Sequence, residues 1–600
     1  MCGIIAVKGD DSIKDVLEGL KKLKYRGYDS CGVSCKVDNE LHTIKRVGYV
    51  DNLIDTDLSK LESNVAIGHT RWATHGNVSE SNSHPHVSAS GKFAIVHNGI
   101  IENYKDLKNK YLKGVKFASQ TDSEVVAQLL DYFYNGDVWE AFRKSIDCLQ
   151  GSYAIVMINS IDNKIYFARK NSPMVIGVRE YYFAIASDVN GLSNIEQISY
   201  VNDDSKGYID NKIHIYDKNN TTIIAKFISI SADDEVSMGN FPHFMLKEIY
   251  EIPHALKGCF DSFASTTFNL PRVIDNILMV SCGTSYHSSL MGKKYFEEFA
   301  GIPTECEIAS EYIYNSTVVR PNTLGIFISQ SGETADTLSA LKRAKQMGVF
   351  ALAITNVRNS TITHLADEVI YLNAGAEIGV ASTKAYTSQV FALLLLTNVL
   401  INNSKGNYKK TNNFSSVTIK ETQDYLKITP DELEKLYNMD ISSIDKRCDE
   451  IVKVLEGKKE IYLIGKNYDF VTAKEGGLKI KEISYSFTDA YPCGELKHGT
   501  IALIDEESVV IAIATEEKIF DKVKNSVHEI VARGGKVIGI TTFDEVDEEF
   551  MYKLLLPKFQ HMLLPIVSII PLDLIAYKLS VARGINPDKP RNLAKSVTVE

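Results

Sequence analysis

A chain of 600 residues suits roughly three or four domains, and 44% hydrophobic with 24% charged residues is the composition of ordinary globular protein. A formal net charge of −10, with no run of lysine and arginine, offers phosphate backbones and anionic lipid no footprint, so neither nucleic acid nor membrane is an expected partner. The nine cysteines are scattered, odd in number and form no Cys-x-x-Cys pair, which predicts reduced thiols in a cytoplasmic protein and no metal centre.

Met1-Cys2-Gly3-Ile4-Ile5 opens the chain. A cysteine after the initiator methionine can become residue one, with a thiol and a free α-amine on one carbon. The amine titrates at about 7.7 to 8.0 and can take the thiol proton directly or through one water. Cys2 to Val7 reads as a buried strand. Ser12-x-x-Asp15 then predicts a capped amphipathic helix over Ile13, Val16, Leu17, Leu20 and Leu23, stopped by Gly27.

From there to about Ile230, β-rich runs at Val65–Ile67, Phe93–Val96, Tyr153–Ile158 and Tyr182–Ala186 alternate with few helices, the longest predicted over Ser123 to Tyr134. Stacked antiparallel sheet flanked by helix is the expected architecture. Gly68-His69-Thr70-Arg71-Trp72-Ala73-Thr74-His75-Gly76 follows one strand, and the Arg71 fork suits either a ligand carboxylate or a surface ion pair. In His97-Asn98-Gly99, the Asn98 amide and Gly99 N–H can face a developing oxyanion, or the pair can be a hairpin turn. Asp122, before Ser123, can hold an ammonium or cap a helix.

Beyond a polar, then helical connector over 231–269, short apolar runs alternate with helix-length segments at Ile277–Ser281, Leu324–Ser329, Ala351–Thr355 and Val369–Tyr371, as a doubly wound parallel sheet requires. The pattern recurs at Ile461–Gly465 and Val509–Ala514, which predicts a duplicated α/β domain. Ser281-Cys282-Gly283-Thr284-Ser285 and Ser329-Gln330-Ser331-Gly332-Glu333-Thr334 each join a strand to a helix, where hydroxyls and N–H groups suit phosphate or simply cap the helix. The second copy carries no such loop. The greasiest stretches, Phe391–Leu400 and Met562–Ala576, read as too short for a bilayer or as interrupted by Pro565, Pro571 and Asp573.

The Cys start, Tyr25-Arg26-Gly27-Tyr28-Asp29-Ser30, the Arg71–His75 loop, Ser83-His84-Pro85-His86, Asn98-Gly99 and Thr121-Asp122 together resemble the class II glutamine amidotransferase domain of the N-terminal-nucleophile hydrolases. The resemblance implies an αββα sandwich in which Cys2 forms a glutamyl thioester. It makes Asn98 and Gly99 the oxyanion hole, with Arg71 on the glutamine carboxylate, Asp122 on its amine, and Trp72, Thr74 and His75 lining the site. Gln120 departs from the acidic residue common in that family.

The Ser/Thr loops and Glu377-Ile378-Gly379-Val380-Ala381-Ser382-Thr383-Lys384 resemble the sugar-isomerase (SIS) family, with flavodoxin-like doubly wound domains. Sugar-phosphate binding then falls to Cys282, Gly283, Thr284, Ser285, Ser329, Gln330, Ser331, Thr334, Val380, Ala381, Ser382 and Lys479. End to end, the chain resembles the isomerising glutamine:fructose-6-phosphate aminotransferase family. That implies L-glutamine and D-fructose 6-phosphate as substrates, D-glucosamine 6-phosphate and L-glutamate as products, and no metal or organic cofactor. His498 would open the sugar ring, Lys595 form a Schiff base, and Glu482 move a proton between carbons, with Lys479 sharing its helix face.

The resemblance also implies a homodimer with His498 supplied across the interface, and an ammonia channel gated by Trp72. Ile313, Asn315, Cys493 and Thr500 depart from the family pattern. Expected domains are 1–230, the connector 231–269, 270–440, 441–588 and a tail 589–600 at the sugar site. A different ketose phosphate, or a sugar-phosphate sensor without turnover, stays open at this point.

Overall fold

The computed structural model describes all residues except 1, 25, 55–60, 73–75, 194, 230–237, 317, 359, 405–408, 412–413, 419–423, 545–549 and 598–600. It divides into two compact units, residues 1–235 with 596–600 and residues 236–595.

In the first unit the two-residue period of a strand makes the layers. On strand Gly3–Lys8, Ile5 and Val7 pack with Ile13, Val16 and Leu20 of helix Ser12–Lys22. Ile4 and Ala6 instead join Ile67, Val96, Ala154 and Val156 between two sheets. The strand lies in an eight-stranded sheet between Tyr182–Ala186 and Val65–Arg71, antiparallel to both. A seven-stranded sheet carries Phe93–Ile101 antiparallel to Gly151–Asn159. Its outer face packs Phe93 and Ile95 against Val125 and Leu129 of helix Glu124–Phe133 and Phe142 of helix Val138–Asp147. The result is helix, sheet, sheet, helix.

Local readings here need correction. Helix Ser12–Lys22 has Asp11, in the left-handed region, as its N-cap, with no side-chain cap bond. The hydroxyl of Ser12 donates to the Ser63 carbonyl at 2.5 Å, so no capping box forms. The helix also ends well before Gly27. That glycine is needed for close approach, since a Cβ there would lie 2.8 Å from the Thr70 carbonyl oxygen. Helices Tyr104–Tyr111 and Val138–Asp147 add to the expected set; the first buries Leu107 alone and so leaves little periodic signal.

The second unit holds two five-stranded parallel sheets. The spatial order of the first is Thr304–Ile308, Asn276–Ser281, Thr323–Ile328, Phe350–Thr355, Glu368–Tyr371. The second repeats it as Phe487–Pro492, Glu460–Gly465, Val509–Ala514, Lys536–Thr541, Tyr552–Leu555. Both follow the flavodoxin-like order 2-1-3-4-5, whose switch point lies at the carboxyl ends of the first and third strands. Helices Phe244–Tyr250 and Ile252–Ser265 bury Met245, Ile249, Ile252, Leu256 and Phe263 in the same core.

Lys384–Ser404 and His561–Ala582 are long and apolar enough to cross a membrane, which corrects the reading of those stretches as too short. Their apolar windows are 100% and 94% buried inside the protein. A helix apolar on every side is a core helix when its neighbours are protein.

Candidate functional site

In the first unit, chemistry gathers where strand Gly3–Lys8 begins. Pairing with Val65–Arg71 brings Cys2 to the Arg71–Trp72 turn: the Trp72 N–H donates to Cys2 Sγ at 3.2 Å, and the thiol faces the Trp72 carbonyl at 3.5 Å. Burial pushes the thiol above its ordinary range, against the Trp72 N–H and the Arg71 and Arg26 charges. Arg26 donates to the Cys2 carbonyl at 3.3 Å and to Asp188 at 2.7 Å.

Asn98 and Gly99 sit inside strand Phe93–Ile101 rather than in a hairpin turn. Asn98 Nδ2 donates to the Cys2 carbonyl at 3.0 Å. Gly99 has φ +125°, and a Cβ there would fall 2.0 Å from the Ser152 carbonyl oxygen, so only glycine fits. Asp122 is not the helix cap: its carboxylate accepts the Ile101 N–H at 2.7 Å. Arg71 is 3% exposed, which removes the surface ion-pair reading; its guanidinium donates to the carbonyls of Asn77 at 3.3 Å and Gly76 at 3.4 Å. Asn82 donates to the Asn77 carbonyl at 2.9 Å and accepts the Gln120 N–H at 2.8 Å, so Gln120 buttresses this loop. Thr74 and His75 lie outside the described residues.

In the second unit, the strand-end loops sit at the switch point. Cys282 is the N-cap of helix Gly283–Tyr295, and Gly283 takes φ +54°. Ser329 and Thr334 hydroxyls meet at 2.9 Å, and Ser329 Oγ accepts the Gly332 N–H at 3.0 Å, before helix Ala335–Gln346. The Ser285 hydroxyl accepts from Gln389 at 3.2 Å. Ser331 accepts the Glu333 N–H at 3.2 Å, and the Gln330 carbonyl that of Asn356 at 3.0 Å.

Lys479 and Glu482, one turn apart on helix Tyr468–Ser484, pair at 2.8 Å. Lys479 also donates to Thr284 at 2.9 Å and lies 3.3 Å from Glu475. Glu475 accepts from Thr284 at 2.9 Å and His287 at 2.6 Å. Burial works against both charges, but their mutual attraction wins: the Lys479 ammonium is raised and the Glu475 carboxyl lowered. Lys595 is held by Glu377 at 2.5 Å; Glu377 also accepts from Ser382 at 3.0 Å and the Thr383 N–H at 2.9 Å. The Val380 N–H donates to the Asp588 carbonyl at 3.3 Å, and Ala381 is buried beside it.

The structure thus joins Lys479, Glu482 and Thr284 in one network and Lys595 and Ser382 in another. His498 belongs to neither: it sits exposed in the turn Leu496–His498, its ring without a hydrogen bond among the described residues. Glu475, His287 and Glu248 were not singled out from sequence, Glu377 was read only as part of the Glu377–Lys384 motif, and Asp573 only as an interruption of an apolar stretch. Glu248 accepts the Ile378 N–H at 2.5 Å, and burial with the neighbouring Glu377 pushes its carboxyl up to about 8. Burial holds the Asp573 carboxyl well above the usual range. The one sequence signal for that residue was an acid inside the apolar stretch Met562–Ala576.

The departures are absorbed locally. Cys493 packs in the core and donates its N–H to Gly465 at 2.9 Å; the Ile313 and Asn315 carbonyls both accept from Arg343. Thr500 opens the turn Thr500–Leu503.

Comparison with known proteins identifies the family. A glutamine amidotransferase domain model matches residues 69–194, and an SIS domain model matches 272–399 and 454–583. Relatives named glutamine–fructose-6-phosphate aminotransferase [isomerizing] are 41% identical in Caldanaerobacter subterraneus subsp. tengcongensis and 38% in Bacillus subtilis, each covering 100% of both chains. The solved C-terminal domain of glucosamine-fructose-6-phosphate aminotransferase from Francisella tularensis is 34% identical, with TM-score 0.53, over 59% of this chain and 100% of that one. Over its whole length, the chain belongs to the isomerising glutamine–fructose-6-phosphate aminotransferase family.

Proposed function

We propose that the protein converts L-glutamine and D-fructose 6-phosphate into L-glutamate and D-glucosamine 6-phosphate. The observation that carries the reading is the full-length likeness to enzymes of that name, with a Cys2–Asn98–Gly99 cluster, a half-buried Lys479–Glu482 pair and a buried Lys595–Glu377 pair in one chain. Cys2 thiolate attacks the side-chain amide carbon, and Asn98 Nδ2 with the Gly99 N–H stabilises the oxyanion. The carbon–nitrogen bond breaks as nitrogen gains a proton and leaves as ammonia; water then cleaves the thioester to glutamate. Arg71 and Asp122 hold the carboxylate and ammonium of glutamine, with Trp72 beside it.

On the sugar side, the loops Cys282–Ser285 and Ser329–Thr334, with Val380–Ser382, hold the phosphate sugar. His498 opens the ring, and Lys595 condenses with the C2 ketone, releasing water. Ammonia displaces the lysine to leave the imine. Glu482, oriented by Lys479, takes a proton from C1 and returns it to C2, giving the aldose amine. No cofactor enters this scheme, because lysine alone supplies the imine. The exposure of His498, apart from both networks, supports a homodimer in which the partner supplies that ring.

Removal of Met1 belongs to the proposal: the buried thiol resists ionisation, and a free α-amine on Cys2 is the base nearest to it. Amide-15N glutamine with fructose 6-phosphate tests the whole reading. The label is expected on the hexose C2 amine, and Glu482→Gln should abolish synthesis while sparing glutamine hydrolysis. Unlabelled product, or no amino sugar, refutes it; full sugar response in the Glu482→Gln protein favours a sensor.

A further inference from the structure

His69, His84, His86 and His97 cluster in the first unit, each at most 4% exposed. The His69 and His84 rings stack at 4.2 Å between centroids; His86 lies 4.5 Å and His97 6.4 Å from His84. So many imidazoles cannot be charged together in a dry space. Burial above all, with the neighbouring rings and Arg71, holds His69 down to about 3 and His84 and His86 well below the usual range.

A neutral imidazole has a single N–H, so the neighbours of each nitrogen fix the tautomer. His69 Nε2 lies 3.0 Å from Asn98 Oδ1 and 3.1 Å from the His97 carbonyl oxygen. Both are acceptors, so Nε2 carries the hydrogen. Its Nδ1 is buried with no hydrogen-bond partner among the described residues, as an unprotonated nitrogen can be in a ring stack. With Oδ1 held this way, the Asn98 amide keeps one orientation, with Nδ2 3.0 Å from the Cys2 carbonyl oxygen. The remaining rings extend the support: His84 Nδ1 accepts the His97 N–H at 3.3 Å, His86 meets Thr121 at 3.0 Å, and His97 meets Ser123 at 2.8 Å, on either side of Asp122.

We propose that His69 is a positioning residue for the oxyanion hole, orienting the Asn98 amide through its Nε2–H, while His84, His86 and His97 keep it in place and tie it to the segment carrying Asp122. The inference rests on the glutaminase reading above. A cluster that served packing alone would not depend on which ring nitrogen donates.

His69→Phe keeps a ring against His84 and removes the donor; His69→Gln returns an N–H at similar reach. Glutamine hydrolysis by the full-length protein is the assay, with borohydride trapping of fructose 6-phosphate on Lys595 as the control for the other unit. For His69→Phe, kcat is expected to fall about 10- to 100-fold with KM within about two-fold, because oxyanion stabilisation is felt in the transition state. His69→Gln is expected to recover most of the loss. An unchanged kcat in His69→Phe, a change confined to KM, or a His69→Gln protein as slow as His69→Phe overturns the inference. If His69→Phe does not fold, His69→Gln decides: hydrolysis near the wild-type rate supports the donor role and a folded, inactive protein refutes it. Absence of hydrolysis by the unaltered protein would instead refute the glutaminase reading.

Discussion

Gly99 has no side chain, yet the geometry around it is among the most constrained in the molecule. Its φ of +125° and the 2.0 Å that would separate a Cβ from the Ser152 carbonyl oxygen leave no room for alanine. Gly99→Ala must therefore either shift the strand pairing or rotate the peptide that presents the Gly99 N–H; a strained backbone of this kind costs roughly 1–3 kcal/mol. Glutamine hydrolysis is expected to fall by about 100-fold or more, the scale of a lost oxyanion donor, while trapping of fructose 6-phosphate on Lys595 persists. Parallel loss of both would mean general unfolding. Cys2 and Arg71 stand out in the sequence as candidates because their side chains carry their own chemistry, whereas Lys479 enters through the family resemblance. Glu475 was not, because it acquires meaning from Thr284, 191 positions away, and from His287, 188 away. Asp122 was legible as a charge but ambiguous in use until its bond to the Ile101 N–H separated it from helix capping.

At the scale of elements, alternating runs were readable because a strand buried on both faces must be apolar at nearly every position, as Thr323–Ile328 and Val509–Ala514 are. Helix ends were less readable: Ser12 spends its hydroxyl on Ser63, so the cap that its spacing advertises never forms. Contacts between helices were invisible, and one of them is critical. Helix Tyr468–Ser484, which carries Glu475, Lys479 and Glu482, meets helix Leu564–Ala582 at Gly476, where a Cβ would lie 2.4 Å from Leu572 Cδ1 and 2.8 Å from its Cβ. Alanine in a helix is normally favourable, by about 1 kcal/mol over glycine. Here overpacking of about 1–3 kcal/mol should outweigh that gain. Gly476→Ala is expected to lower the melting temperature and, if Lys479 and Glu482 act as proposed, to slow synthesis more than glutamine hydrolysis, because the displaced helix carries both. A higher melting temperature would show that the helices can part without cost.

At the scale of the whole molecule, the same strand order occurs twice, but among the described residues the hydroxyl-rich loops at a switch point belong to the first sheet, and the proposed reaction therefore draws on one sugar site to which both copies would contribute. The second copy instead contributes the helix with Lys479 and Glu482 and the turn with His498. His498 is exposed and joins neither lysine network, which is the expected condition of a residue that completes a site on a second copy of the chain. The arrangement makes a quantitative prediction. His498→Asn and Glu482→Gln chains should each be inactive in synthesis alone. In a dimer with one of each, the site built on the intact Glu482 receives the intact His498, whereas the other site lacks both. If subunits exchange freely at equal amounts, half the dimers are mixed and half their sites are whole, so synthesis should recover to about a quarter of the wild-type rate. If His498 served the site of its own chain, each mixed dimer would contain two broken sites, and mixing would restore nothing.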